Sequence, residues 1–296
     1  MSYEIWIIIV ASLVGITCGV IGCFLILRKL AMLADAISHT VLLGIVLAFL
    51  ISQSMNGIYM LIGAAIVGLF TAMLIQFLNH KGIQEDASIG VVFTFFFAIG
   101  VILITVFADS VHLDVDHALM GEIAFVPFDM VEIGFLPPLP KAFIMLMSIL
   151  ILNIILMMLF YKELKITSFD PALAASIGIP VMFIHYLLMG MVSVSTVASF
   201  DSVGAILVVA MLIAPGASAY LLTNKLSHML CLSAFFGVIA AISGYYVATW
   251  IDSSISGSMA MMSGALFALV FIFSPTKGLL GKKLNHKRFR SGTTAP

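Results

Sequence analysis

The chain has 296 residues, of which 62% are hydrophobic and only 9% are charged, and its formal net charge is -1. Soluble domains carry about 25% charged residues, so this composition excludes a soluble globular protein and indicates a polytopic α-helical membrane protein. A net charge near zero, with no basic stripe outside the loops that flank apolar segments, argues against nucleic-acid binding.

Nine apolar segments are each close to the about 20 residues that a helix needs to cross a bilayer. We therefore expect an all-α protein whose residues 1–296 form a single transmembrane domain. Eight helices remain the alternative to nine, because the second segment contains the ionisable residue Asp35. The segments are 5–27, 31–51, 58–78, 88–107, 142–161, 181–198, 203–222, 229–251 and 258–274.

Two ionisable residues, Asp35 and His39, lie four positions apart inside the second apolar segment. Charged groups are costly within a bilayer, and chains that keep them there usually use them in a pathway or a site. At this spacing both side chains project from one face of a helix. A carboxylate oxygen beside an imidazole nitrogen forms part of a site for a divalent transition metal.

The alternative for Asp35 and His39 is structural, since the two side chains could bond to each other and brace helix packing. Two residues are also too few to hold a metal ion alone. Two copies of this helix facing each other would supply two carboxylates and two imidazoles.

The basic residues predict the orientation of the chain, because cytoplasmic loops are enriched in Lys and Arg. With nine spans and the N-terminus outside, twelve basic residues fall on the cytoplasmic side and only Lys141 falls outside. The C-terminus is then cytoplasmic. The twelve are Arg28, Lys29, Lys81, Lys162, Lys165, Lys225, Lys277, Lys282, Lys283, Lys287, Arg288 and Arg290.

The longest external loop in this orientation is 108–140, and it is acidic. It is expected to be either a solvated connection with a short interfacial helix or a docking surface for another protein. A third reading is a metal site at His112, Asp114, Asp116 and His117. The carboxylates of the loop are Asp109, Asp114, Asp116, Glu122, Asp129 and Glu132.

The longest cytoplasmic loop is 162–180. Within it, Ser168 is predicted to cap a short helix that has Pro171 in its first turn and Gly178 at its C-terminal end. This helix would lie on the cytoplasmic face. It is either an ordinary connection or, with its small side chains and the single aromatic Phe169, a segment that inserts into a groove of a partner subunit.

The seventh apolar segment begins near Asp201, which is expected close to the external boundary. There its carboxylate could accept an incoming cation, cap the helix, or do both. Pro215 and Gly216 are expected to kink or interrupt this helix. The glycines of the first and third segments favour close helix packing; they are Gly15, Gly19, Gly22, Gly63 and Gly68.

Sequence patterns for an internal energy source are absent. The chain has no phosphate-binding loop for ATP, since the segment 278–283 does not fit that pattern. Arginine-rich voltage sensors, the potassium-filter sequence and the motifs of hydrolytic enzymes are missing as well. A transporter of this sequence would therefore take its ATP hydrolysis from a separate subunit, and we do not expect an enzyme.

Four segments together resemble the permease subunits of bacterial ABC importers for manganese, zinc and iron. The resemblance extends over nearly the whole chain, and the external segment is closer to the manganese branch than to the zinc branch. The segments are LAMLADAISH at 30–39, DHALMGEIAF at 116–125, DPALAASIG at 170–178 and SFDSVGAILVVAMLIAPGA at 199–217.

This resemblance implies the ABC importer permease fold in a bacterial plasma membrane, with Asp35 and His39 lining the pathway. It implies a second permease subunit, two cytoplasmic ATPases and an external metal-binding lipoprotein, with a transported metal and no resident cofactor. Zn²⁺ or Fe²⁺ are alternatives to Mn²⁺, and a self-sufficient secondary transporter or channel is the rival class. The coupling helix that contacts the ATPase would contain Phe169, Asp170, Pro171, Ala174 and Gly178.

Overall fold

The computed structural model describes residues 3–53, 57–107, 123–131, 138–274 and 278. Nearly all of this part of the chain is helical. The α-helices are α1 (Tyr3–Leu27), α2 (Ala31–Ser52), α3 (Gly57–His80), α4 (Glu85–Phe107), α5 (Lys141–Leu159), α6 (Tyr161–Phe169), α7 (Pro171–Ser176), α8 (Val181–Val203), α9 (Ala205–Leu222), α10 (Leu226–Ile251) and α11 (Ile255–Phe273).

Within the described ranges, nine helices are long and apolar enough to cross a membrane. The prediction of nine spans is therefore confirmed over the alternative of eight, and α2 forms a full span despite Asp35. The remaining two helices, α6 and α7, are short and occupy the predicted loop 162–180.

The spans pack in two groups that α8 joins. Helix α1 packs against α9 and α10, and α11 covers α9 and α10 on their other side. Helices α2, α3 and α4 pack on one another. Helix α8 contacts members of both groups as well as α5, so it holds α2 in a fixed place relative to α1.

Close backbone contacts hold the first group together, as the glycines of the first span predicted. A Cβ atom on Gly15 would lie 2.8 Å from the carbonyl group of Gly237 in α10, and one on Gly22 would overlap the carbonyl oxygen of Leu212 in α9. Small residues allow helix backbones to approach in this way in a membrane, where dispersion forces replace the hydrophobic effect. Gly63 makes an equally close approach between α3 and α2, next to Ala48.

The region around Asp201 differs from the sequence prediction. Helix α8 continues through Asp201 to Val203, and α9 begins directly after Gly204, whose φ is 80°. Gly204 occupies the N-cap position of α9 without a side-chain cap, so the predicted capping role of Asp201 is wrong. The left-handed backbone that glycine permits, rather than a polar cap, separates the two helices.

Pro215 does not interrupt α9, which contrasts with the expectation of a broken helix. The helix runs from Ala205 to Leu222 with Pro215 inside it. Pro215 and Gly216 are buried against α1, where a Cβ on Gly216 would lie 3.2 Å from the backbone nitrogen of Cys23. Close packing against α1 holds this turn in helical geometry although Pro215 lacks a backbone donor.

The predicted external loop is described only at 123–131 and 138–140. Ile123–Phe128 is a 3-10 helix, and Met130–Val131 pairs antiparallel with Leu139–Pro140. The Tyr3 hydroxyl donates to the Ala124 carbonyl, which places this loop beside the start of α1. Of the six carboxylates in the docking prediction, only Asp129 is within the described residues.

We expect Gly22→Ala to destabilise the protein by about 2 kcal/mol, because overpacking against a backbone carbonyl cannot be relieved by a rotamer change. The matched control is Gly264→Ala in α11, where an added Cβ has no neighbour within 4 Å. Thermal unfolding in detergent, followed by the fraction of monodisperse protein, would measure both. Equal melting temperatures for the two variants would contradict the contact.

Candidate functional site

The segment that carries Asp35 and His39 begins at a tight turn between α1 and α2. The Arg28 and Leu30 amides donate to the carbonyls of Phe24 and Leu25 at 3.0 and 2.8 Å, and Lys29 has a φ of 62°. Helix α2 then starts at Ala31. The turn between α1 and α2 is short and hydrogen-bonded, so the start of α2 is fixed relative to the end of α1.

Asp35 and His39 form a close pair on α2. The distance from His39 Nε2 to Asp35 Oδ1 is 3.6 Å, and the two side chains are 33% and 39% exposed, respectively. Their neighbours Ala34, Ile37 and Ser38 are buried. The prediction that the two side chains share one face is confirmed, and that face is open in a single chain.

Helix α4 positions the imidazole of His39. The rings of Phe93 and Phe97, one turn apart, lie 5.1 and 5.9 Å from it between centroids. These contacts limit rotation of the imidazole and leave Nε2 directed toward Asp35.

The opposite face of α2 is tied to α3. Thr71 Oγ1 donates to Thr40 Oγ1 at 3.1 Å, and an added Cβ on Gly44 would overlap the backbone of Ala64. The Ser38 hydroxyl donates to the Ala34 carbonyl within α2. The polar groups beside the pair are thus satisfied within the helices, which leaves the Asp35 carboxylate and the His39 imidazole as the groups free to bind a ligand.

The Asp35–His39 pair alone supplies too few ligands to hold a metal ion in one chain. Across the ranges that the structure describes, no group of three or more His, Cys, Asp or Glu side chains could hold a metal ion. One oxygen and one nitrogen ligand leave most of the coordination shell of a divalent transition metal open. Around a bound ion, water or a second subunit would have to supply the remaining ligands.

Asp201 lies in the last turn of α8, at the end remote from the short helix α7 that precedes α8. Twenty residues of helix separate Asp201 from Val181, which corresponds to about 30 Å. Asp201 therefore belongs to the end of the molecule opposite to α7, and its role in the pathway stays a prediction.

The predicted short helix in 162–180 is α7, with a different cap. Asp170, not Ser168, is the N-cap residue: its Oδ1 accepts from the Leu173 amide at 2.9 Å, and Pro171 takes the first helical position. Gly178, at a φ of 85°, ends the helix, with its amide and that of Ile179 donating to Ala175 and Ala174. This double closure is the Schellman arrangement.

Three large apolar side chains are exposed in and beside α7. Phe169 ends α6, Leu173 lies in α7 and Ile177 is the C-cap residue of α7, and each is more than half exposed. Ala174, which the sequence prediction placed in the contact segment, is buried against this chain and is not available to a partner. We call Phe169, Leu173 and Ile177 the coupling stripe.

Comparison with known proteins identifies the family. The model of the ABC 3 transport family matches residues 2–274. The chain belongs to this family. The four sequence segments indicated a permease subunit of a metal ABC importer, and the family match confirms that prediction.

Two relatives in this family are named as metal transporters. The chain is 59% identical to the manganese transport system membrane protein MntD of Bacillus subtilis over 99% of its length and 100% of that protein. It is 43% identical to the zinc transport system membrane protein TroD of Treponema pallidum, over 96% of this chain and 77% of that one.

A solved family structure has the same fold. PsaBC from Streptococcus pneumoniae, determined in complex with Fab, matches with a TM-score of 0.79 and 35% identity over 96% of each chain. The expected ABC permease fold is confirmed, and the protein is a multi-pass membrane protein.

Sequence reasoning missed three parts of the site. Phe93 and Phe97 are typical lipid-facing residues by sequence, and only the packing of α4 on α2 brings them to His39. Leu173 and Ile177 could have been found from their four-residue spacing with Phe169. Arg28 was counted as a cytoplasmic charge, but it bonds to the end of α6.

Chemical labelling tests whether the Asp35–His39 face meets water. In a Cys231→Ser background, we expect Asp35→Cys and His39→Cys to react with a charged maleimide, because the thiolate forms in water and not in hydrocarbon. Ser38→Cys, on the same helix but at a buried position, should stay unlabelled, as should the buried Cys18 and Cys23. Labelling at Ser38→Cys with none at Asp35→Cys would contradict the placement.

Proposed function

We propose that this chain is the membrane-spanning permease subunit of an ABC importer that moves Mn²⁺ into a bacterial cell. The observation that carries the proposal is the Asp35–His39 pair, open on one face of a transmembrane helix. The 59% identity to a protein named for manganese transport supports Mn²⁺ as cargo. Zn²⁺ is the second candidate, supported by the relative that is named for zinc.

The Asp35–His39 pair is suited to bind a divalent ion transiently. Mn²⁺ accepts carboxylate oxygen and imidazole nitrogen, and it binds most nitrogen and oxygen sites less tightly than the later transition metals do. Two ligands per subunit, doubled by a second permease subunit, would hold the ion long enough to exclude other cargo and release it when the helices separate. A buried cage with more ligands would retain the ion.

The partners follow from the faces of the molecule. The coupling stripe, with α7 on the side of the Arg28–Lys29 turn, would meet a cytoplasmic ATPase subunit, one for each permease subunit. The acidic loop 108–140 would face an external metal-binding lipoprotein and raise its rate of encounter more than its affinity. This orientation puts the C-terminus in the cytoplasm, as the distribution of basic residues favours.

Metal uptake tests the role of the pair. We expect Asp35→Asn and His39→Gln each to lower uptake of radiolabelled Mn²⁺ about tenfold or more in cells that lack the native gene, because each removes one of the few ligands. Asp86→Asn, which removes an exposed carboxylate at the start of α4, is the control and should transport normally.

Competition then separates the two cargo candidates. Excess Zn²⁺ should block Mn²⁺ uptake in the wild type, since nitrogen and oxygen sites bind Zn²⁺ more tightly. Rescue of growth by Mn²⁺ under manganese limitation, and not by Zn²⁺ under zinc limitation, would identify the cargo. Full Mn²⁺ uptake by both site variants would exclude the pair from the pathway.

Introducing a charge into the coupling stripe tests whether it contacts the ATPase subunit. Leu173→Glu should reduce co-purification of the ATPase subunit and lower uptake, because the interface would have to desolvate a carboxylate without a partner. Leu173→Met keeps an apolar side chain of similar size and is the matched control. Wild-type ATPase binding by Leu173→Glu would place the contact elsewhere on the cytoplasmic face.

A further inference from the structure

Arg28 makes a polar contact that the proposed pathway does not itself require. From the turn between α1 and α2, its Nε donates to Ser168 Oγ at 3.0 Å and its Nη2 donates to Thr167 Oγ1 at 2.7 Å. Among the residues that the structure describes, the recorded ion pair is that of Asp35 and His39, and none involves Arg28. Burial lowers the pKa of the guanidinium to about 10, so Arg28 stays charged at neutral pH.

The two hydroxyl acceptors are held rigidly at the end of α6. Thr167 Oγ1 donates to the Glu163 carbonyl at 2.7 Å, and Ser168 Oγ donates to the Leu164 carbonyl at 2.6 Å. Each hydroxyl proton is therefore used within α6, and the lone pairs face Arg28. Both residues immediately precede Phe169 and the cap of α7, so a displacement of α7 displaces them too.

The donor is held just as firmly to the metal-site helix. The turn that contains Arg28 is closed by the amide of Leu30, which donates to the Leu25 carbonyl, and α2 begins at the next residue. Asp35 lies four residues into α2, about 6 Å along its axis. A force on the guanidinium thus acts within two helical turns of Asp35, and His39 lies one turn further along α2.

A cavity makes this link mechanically important. A space of about 780 Å³ separates the ends of α2 and α3 from α8 and the α6–α7 junction, with Arg28, Thr167 and Ser168 on its wall. Its apolar wall includes Leu33 of α2 and Ile75 of α3. Side chains in direct contact transmit helix movement, and across this space the walls do not touch. The Arg28 hydrogen bonds cross the edge of this space.

We infer that Arg28 is a positioning residue that transmits movement of the α6–α7 segment to the start of α2 and so to the Asp35–His39 pair. The inference rests on the proposed function, in which an ATPase subunit presses on the coupling stripe. The cavity gives α7 room to move, and the two hydrogen bonds convert that movement into a displacement of the α1–α2 turn. The planar guanidinium suits the task because it holds two acceptors at a fixed separation.

The experiment measures metal transported per ATP hydrolysed by the complex reconstituted in vesicles. We expect Arg28→Ala to keep ATP hydrolysis but to lower this ratio about tenfold, the order of effect seen when a coupling network is cut. Arg28→Lys should give an intermediate ratio, because an ammonium group cannot reproduce the fork. Lys29→Asn removes a neighbouring exposed charge, tolerates the left-handed backbone there, and should keep the wild-type ratio.

A second variant removes the acceptors and leaves the arginine in place. Thr167→Val with Ser168→Ala should lower the ratio as Arg28→Ala does, and combining all three changes should lower it no further. This variant decides the matter if Arg28→Ala fails to assemble. Labelling of Asp35→Cys by the charged maleimide should change with ATP when Arg28 is present. This dependence on ATP should disappear in the Arg28→Ala background.

Two results would overturn the inference in distinguishable ways. A wild-type ratio in the acceptor-deletion variant would refute the link alone and leave the permease function intact. Absence of ATP-driven metal accumulation by the wild-type complex would refute the proposed function, and the link with it.

Discussion

The rest of this structure depends on the need to pair every polar group inside the membrane. Hydroxyl side chains meet it within their own helices: Thr17, Ser38 and Ser195 each donate to the carbonyl four residues earlier. Asn153, in α5, donates to Ser195 in α8. A few buried groups in the spans, such as Thr196 Oγ1, have no partner. Among the described residues, Asp35 and His39 differ from these because they are ionisable, pair only with each other and are both accessible. The cost of keeping them there is the physical reason to regard them as functional.

Backbone contact fixes where this exceptional face lies. Helix α1 approaches α9 and α10 at Gly22 and Gly15, and α2 approaches α3 at Gly44 and Gly63. Such contacts leave little freedom to slide, since a displaced helix would press carbonyl groups against side chains. Helix α8 then locks the two groups together. The Asp35–His39 face is consequently held at the surface of a rigid frame, where a second subunit can meet it.

One end of this frame is loose by comparison. The short helices α6 and α7 pack on α1 and α8 on one side and border a cavity on another, and Leu173 of α7 is exposed while Ala174 is buried. In the proposed function an ATPase subunit would act on this segment, while the close helix contacts would keep the rest of the fold in place.

The sequence by itself determined the class, the number of candidate spans and the placement of Asp35 and His39 on one helix face. Composition and segment length are local properties, and a four-residue spacing puts Asp35 and His39 on one helix face whatever the tertiary structure. The short helix in 162–180 could likewise be predicted from local sequence. Its N-cap residue is Asp170 and not the predicted Ser168, because the Ser168 hydroxyl bonds to the Leu164 carbonyl and to Arg28.

Only the tertiary structure decided the contacts between distant segments. That Phe93 and Phe97 orient His39, that Ala174 is buried, and that Arg28 reaches Thr167 all depend on which helices become neighbours, which no local pattern encodes. The same holds for Pro215, whose local preference to break a helix is overridden by the packing of α1 on α9. The conformational preference of a single residue is outweighed by the many contacts of a packed interface, so the tertiary structure determines the conformation at such positions.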